Sequence, residues 1–227
     1  MPLKPPFISE SMKRIRIEEF LLSELGRAGY GGMEIQRTPL GTRIAIYAER
    51  PGMVIGGHGK QIKKLTKTLE DEFKIENPQI EVREVEVPEL NAQIMAQRIA
   101  SALERGMHFR RVAYTALKRI MDAGAKGVEI IISGKISGER ARYEKFREGY
   151  IRKCGEPVEK FARVAHVQAR LKPGVMGVTV RIMPPSAIFP DEVKPKVEEV
   201  MEAAQVSIPG EAKVEAEGEK SGDIKKE

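Results

Sequence analysis

Residues 54–62 read Val54-Ile55-Gly56-Gly57-His58-Gly59-Lys60-Gln61-Ile62, and this run narrows the available folds more than any other. A G-x-x-G loop stands between an apolar pair and the start of a basic segment. Glycine lacks a Cβ, so a phosphate chain can approach the main chain closely there. A helix that starts just after the loop offers unpaired N–H groups and a positive dipole end at the same spot. Lys60, Lys63, Lys64 and Lys67 recur at 0, 3, 4 and 7, which places them on one face of that helix. Ile62, Leu65 and Leu69 take the opposite face. A lysine face can be simple solvation, but loop, dipole and lysines converge here on a nucleic-acid backbone.

Two other phosphate motifs fail at this loop. Gly59-Lys60 resembles the end of a P-loop, yet Val54 stands where the first glycine belongs and Gln61 replaces the Ser or Thr that would hold magnesium. The dinucleotide fingerprint fails because Gly57-x-Gly59 is followed by Ile62 rather than glycine.

The segments around the loop alternate in period. A helix is predicted over about 12–27, with Ser11 as its N-cap and Ile17, Phe20, Leu21 and Leu25 as its apolar stripe. Residues 1–10, with three prolines, read as an extended arm, and Gly26, Gly29, Gly31 and Gly32 read as the helix end. Strands follow at 33–38 and 42–49, then a short helical turn, the loop, a helix over 60–74 and a third strand carrying Ile80, Val82, Val85 and Val87. Three strands with helices on one face make a two-layer α/β unit. Pro88 marks a boundary. Helices over 91–105 and 108–123 precede strands at 128–133, 142–149, 161–171 and 177–183, which predicts a second two-layer α+β domain with a four-stranded sheet. The expected organisation is an arm at 1–11, a first domain at 12–88, a basic α+β domain at 89–184 and an acidic, largely disordered tail at 185–227. Within that tail, 191–204 has enough periodicity for a helix on a partner.

The net charge of +6 conceals an uneven distribution. Residues 1–90 carry 14 basic and 14 acidic side chains, residues 91–183 carry 19 and 8, and residues 184–227 carry 6 and 11. The middle segment is basic enough to attract a polyanion. On its second helix Phe109, Ala113, Ala116, Leu117 and Ile120 form an apolar face, while Arg110, Arg111, Thr115, Lys118 and Arg119 lie outside it. Arg98 and Arg105 are expected to extend that basic surface. On the strand at 142–149, Arg142, Lys145 and Arg147 add charge, and Tyr143 shares a face with Lys145 and Arg147, where it either packs or stacks on a base.

Catalytic chemistry is hard to find. His58, His108 and His166 are far apart, and the single Cys154 leaves no zinc-ligand spacing and no disulfide within the chain. No metal or cofactor is expected. Met1 to Pro6 lack the apolar stretch of a signal peptide, and the longest aliphatic run is Ile130-Ile131-Ile132, so a cytoplasmic protein with no membrane span is expected.

Residues 12–87 resemble a type II K-homology (KH) domain in element order and in the 54–62 run. Phe109-Arg110-Arg111 through Gly124-Ala125-Lys126-Gly127-Val128, then Ser133-Gly134 and Lys172-Pro173-Gly174-Val175-Met176-Gly177-Val178, resemble the C-terminal domain of the small-ribosomal-subunit protein three family. The resemblance spans about residues 5–183, and the Gly29-Tyr30-Gly31-Gly32 segment and charged tail are similar to its archaeal and eukaryotic branch. It implies a structural, ribosome-bound protein that binds small-subunit rRNA, touches neighbouring head proteins and helps form the channel by which mRNA enters. A KH loop clamps about four nucleotides, which would make Gly56, Gly57, His58 and Gly59 RNA-binding. Bacterial members carry a basic trio that lines the channel. Arg110 and Arg111 match two of its positions, Tyr114 stands at the third, and Lys118 lies one turn further on. Two readings stay open beside this one. One is a DNA-repair lyase using a lysine Schiff base near the loop; the other is a free regulatory KH protein.

Overall fold

A computed structural model describes residues 6–38, 41–75 and 77–189. Helix α1, Pro6–Glu24, begins well before the predicted residue 12. Proline is tolerated in a first helical turn because the N–H it lacks has no intrahelical partner there. The arm predicted as extended to residue 10 is therefore helical from Pro6, and Ser11 lies inside the helix rather than capping it. The predicted tail and its possible helix at 191–204 lie beyond residue 189, outside the described residues.

Strand β1 spans Tyr30–Thr38 and β2 spans Gly41–Ala48, joined antiparallel with a register shift between Tyr30 and Gly32. Gly31 and Gly32, predicted to end the helix, therefore belong to the strand. After β2 come the short α2, Pro51–Ile55, the G-x-x-G loop, α3, Lys60–Asp71, and β3, Pro78–Glu84, which lies parallel to β2. The predicted third strand reached Val87, but pairing stops at Glu84 and Val87 is exposed. The sheet order is β1-β2-β3. Ile35, Ile44 and Ile80 align across the three strands, as do Met33, Ile46 and Val82. These rows pack with Ile17, Leu21 and Leu25 of α1, Val54 of α2, and Leu65 and Leu69 of α3. Period-2 alternation in the strands and period-3.6 stripes in the helices thus meet in one core.

The second half is a four-stranded antiparallel sheet of order β5-β4-β7-β6. Its strands are β4, Gly127–Gly134, β5, Arg142–Gly149, β6, Arg163–Leu171, and β7, Gly174–Met183. Helices α4, Ala92–Glu104, and α5, Phe109–Asp122, cover one face. Val128, Ile130, Ile132, Val178, Val180 and Ile182 meet Met95, Ile99, Leu117 and Ile120 there. Ala96, Ala100, Ala113 and Ala116 line the same core, in which Phe109 and Phe146 are the buried aromatics. A short α6, Glu156–Phe161, occupies ground predicted to begin a strand at Phe161. The mixed α+β fold and both sheets match the sequence reading.

Both sheets lie within one compact unit ending at Ala187. Asn91 joins them. Its Oδ1 accepts from the Gln93 and Ile94 amides at 2.9 and 3.4 Å, capping α4, while its Nδ2 donates to the Gly31 carbonyl at 2.8 Å. Arg98 adds a second tie, reaching Glu49 at 3.0 Å and Glu89 at 3.1 Å.

Candidate nucleic-acid interface

The loop at Gly56–Gly59 is anchored from below by Val54, which is fully buried, and shaped by the positive φ of Gly56, His58 and Gly59. Gly56 has φ 68°, and a Cβ there would come within 2.8 Å of the Gln61 Cβ. Glycine is required at that position for backbone and packing reasons together. His58 holds a left-handed conformation, φ 54° and ψ 28°, with its ring exposed. Gly57 is different: its φ is not positive and a Cβ would meet nothing within 4 Å.

Hydrogen bonding divides the loop amides. Gly56 donates to the Gly52 carbonyl at 2.9 Å and Gly59 donates to the Gly56 carbonyl at 3.3 Å. The Lys60 amide donates to the Gly57 carbonyl. The amides of Gly57 and His58 are the two that remain at the tip among the described residues. They open beside the first turn of α3, where no side chain caps the helix. An anion placed there meets two N–H groups and the positive end of a helix.

The lysine face forms as the spacing predicted. Lys60, Lys63, Lys64 and Lys67 are exposed, while Leu65 and Leu69 on the other side are buried. Lys64 lies 4.0 Å from Glu24, a long surface pair of little energetic weight.

Helix α5 presents the second basic surface. Phe109, Val112, Ala113, Ala116, Leu117 and Ile120 are buried, so Arg110, Arg111, Tyr114, Thr115, Lys118 and Arg119 face outward. Arg110 is held on both sides. Its Nε and Nη2 donate to Glu144 of β5 at 3.3 and 3.2 Å, and its guanidinium lies 5.5 Å from the Phe109 ring centre. Sequence reading missed Glu144 because no local spacing links positions 110 and 144. Arg98 and Arg105, expected to enlarge this surface, do other work. Arg98 ties the two halves together, and Arg105 donates to the Ser101 carbonyl at 3.1 Å.

Strand β5 splits its charges between two sides. Glu144 and Phe146 face the helices, and Arg142 shares their alternation. Tyr143, Lys145 and Arg147 align with Ser133, Ile131 and Glu129 on the side away from the helices. The predicted residues therefore form three groups: the loop with α3, the outer face of α5 with Arg142 on the same side of the second sheet, and Lys145 on the face of that sheet away from α4 and α5.

That face contains a carboxylate the sequence reading did not single out. Glu129 is fully buried, with Lys153 Nζ at 2.8 Å, Arg181 Nη1 at 3.0 Å and Lys145 Nζ at 3.6 Å. Burial pushes its pKa up. Hydrogen bonds from Lys153 and Arg181, with the charges of Lys153 and Lys145, outweigh that and hold it below the ordinary carboxylate range. The available signal was one charge inside the apolar run Val128-Glu129-Ile130-Ile131-Ile132.

The histidines stay apart: His58 is exposed in the loop, His108 stacks on Phe109 at 4.6 Å, and His166 Nδ1 lies 3.0 Å from the Thr179 hydroxyl. Among the described residues no group of His, Cys, Asp and Glu side chains is placed to hold a metal. Cys154 is an exposed thiol. No helix among the described residues is long and apolar enough to cross a membrane.

Two family models match the chain. One is described as KH domain and covers residues 16–90; the other is described as Ribosomal protein S3, C-terminal domain, and covers residues 99–182. The chain is 54% identical over 209 residues to small ribosomal subunit protein uS3 of Methanobrevibacter smithii, an alignment covering 91% of this chain and 84% of the relative. It is 57% identical over 190 residues to the protein of the same name from Methanothermobacter thermautotrophicus, with 84% and 74% covered. For Methanocaldococcus jannaschii the figures are 54% over 187 residues, with 82% and 90% covered.

Proposed function

The chain belongs to the ribosomal protein S3 family, whose role is structural rather than enzymatic, and from that membership we propose how its surfaces engage RNA in the small ribosomal subunit. The N-terminal half, residues 12–88, holds ribosomal RNA through the Gly56–Gly59 loop and the lysines of α3. The amides of Gly57 and His58 meet a phosphate, and Lys60, Lys63, Lys64 and Lys67 follow the strand away from it. The basic half, residues 89–184, docks on rRNA and neighbouring head proteins. Its α5 faces the channel by which mRNA enters, with Arg110, Arg111, Lys118 and Arg119 toward the message. Arg142 and Lys145 extend the positive field on β5. The protein works in the cytoplasm, bound to ribosomes.

The observation that carries this reading is the loop: two amides without an internal partner open at the uncapped start of a helix whose exposed face carries four lysines. Coulomb attraction brings the strand in, and the amides fix its register.

The test is sedimentation of the full chain with small ribosomal subunits through a high-salt sucrose gradient. One copy retained per subunit is the expected result. Release to the top fractions would overturn the ribosomal role.

A further inference from the structure

We propose that Tyr114 is a base-stacking platform that selects unpaired RNA at α5. This inference rests on the reading of α5 as an RNA surface and deepens it. Arg110, Tyr114 and Lys118 are spaced four apart, so they form one stripe along the helix with the aromatic ring between two cations. Tyr114 is 61% exposed, although it lies on a helix whose opposite face is fully packed. Its ring is also held. It meets Phe146 nearly perpendicular, at 74° with centroids 5.2 Å apart, and Phe146 is itself buried in the core. The ring is therefore fixed at its base and open above, and a base that stacks on it does not have to order a loose side chain first.

The neighbours suit a single strand. A ring between cations lets phosphates on either side of one nucleotide meet Arg110 and Lys118 while the base lies on the aromatic face. A duplex keeps its bases stacked on one another and offers this ring nothing beyond its backbone. The stripe thus reads strandedness rather than sequence, because every base has a π-face.

The test uses the full chain carrying Gly57→Asp and His58→Asp, which lowers the contribution of the loop. Binding is measured to a short single-stranded RNA and to a strand of equal length lacking bases. Tyr114→Ala is expected to weaken binding to the base-bearing strand by about 5- to 150-fold, the range for loss of one stacked base. Binding to the abasic strand and the salt slope are expected to stay unchanged, and Tyr114→Phe should bind like the parent. Equal loss on both strands, or no loss on either, overturns the proposal. Arg110→Gln with Arg111→Gln tests the underlying reading separately: unchanged binding to both strands would sink the α5 surface whatever Tyr114 does. In small subunits carrying Tyr114→Ala, a lost thiouridine crosslink from message or from ribosomal RNA names the source of the base. Loss of neither counts against stacking in the subunit.

Discussion

Glu144 on β5 grips Arg110 on α5 with two oxygens, at 3.2 and 3.3 Å, and so fixes the direction of one of the two arginines of the proposed RNA surface. The pair is bidentate, which constrains the guanidinium plane as well as its position. Arg111, its neighbour, has no such partner among the described residues. The two adjacent arginines thus differ: one is aimed and partly neutralised, the other is exposed with its charge unopposed by a paired carboxylate among the described residues.

Glu144→Gln removes the opposing charge while keeping the side-chain shape. The variant is expected to bind single-stranded RNA about fivefold more tightly at low salt, the scale of one exposed ion pair. The gain should shrink as salt is raised. Filter binding across a salt series measures this, and an affinity equal to wild type at every salt would show that Glu144 does not restrain Arg110.

Gly57→Asp combined with His58→Asp should weaken RNA binding at least about tenfold by setting like charge against phosphate. Thermal unfolding should barely move, because Gly57 has open space around it and aspartate tolerates the left-handed backbone of residue 58. Gly56→Ala should behave in the opposite way. Its φ of 68° and the 2.8 Å approach to Gln61 predict a cost of about 1–2 kcal/mol from backbone strain, before any loss of binding. Calorimetry and binding on the same samples separate the two effects.

Arg98→Ala is a stability variant. Its guanidinium serves Glu49 and Glu89 in a setting only 30% exposed, so removal strands Glu89 and leaves Glu49 with only Arg50 at 3.6 Å. A loss of about 1–2 kcal/mol is expected, or roughly 2–8 °C in Tm. A Tm within a degree of wild type would mean the tie is replaceable by water.

Glu129 predicts a pH dependence. Its pKa lies below the ordinary value of 4.5, so the folded chain binds this proton less readily than the unfolded chain. The stabilisation is complete above that unfolded value and is lost as pH falls through the lower folded one. Glu129→Gln should be less stable at neutral pH by about 3 kcal/mol, because Lys145, Lys153 and Arg181 lose their shared anion. Its unfolding free energy should also fall less steeply in acid than that of wild type. Parallel acid profiles for the two proteins would count against a charged Glu129.

The parts of the fold that local pattern controls were readable in the sequence. Ile44 and Ile46 announce β2, Leu65 and Leu69 announce the buried side of α3, and Phe109 through Ile120 announce that of α5. What was missed depends on contacts between distant residues. Gly31 looked like a helix terminator, yet a Cβ there would come within 2.9 Å of Asn91 Nδ2, so its glycine serves the junction between the halves. Arg98 looked like surface charge because neither of its carboxylates shares its helix. The prolines near the start suggested extended chain because proline's disruption inside a helix was weighed above its tolerance in the first turn. For the interface, glycine spacing and lysine periodicity marked the loop and α3, but which amides remain open at the tip follows only from the folded hydrogen bonds.

The Asn91 junction has a consequence for affinity. One side chain caps α4 and grips the carbonyl of Gly31, so the two halves are held at a set span. On the proposed reading of the two surfaces, a strand caught by one half would be presented to the other at high effective concentration, and the chain would act as a bivalent clamp whose avidity exceeds either contact alone. Loosening Asn91 would lower that avidity without touching a single residue of either proposed RNA surface.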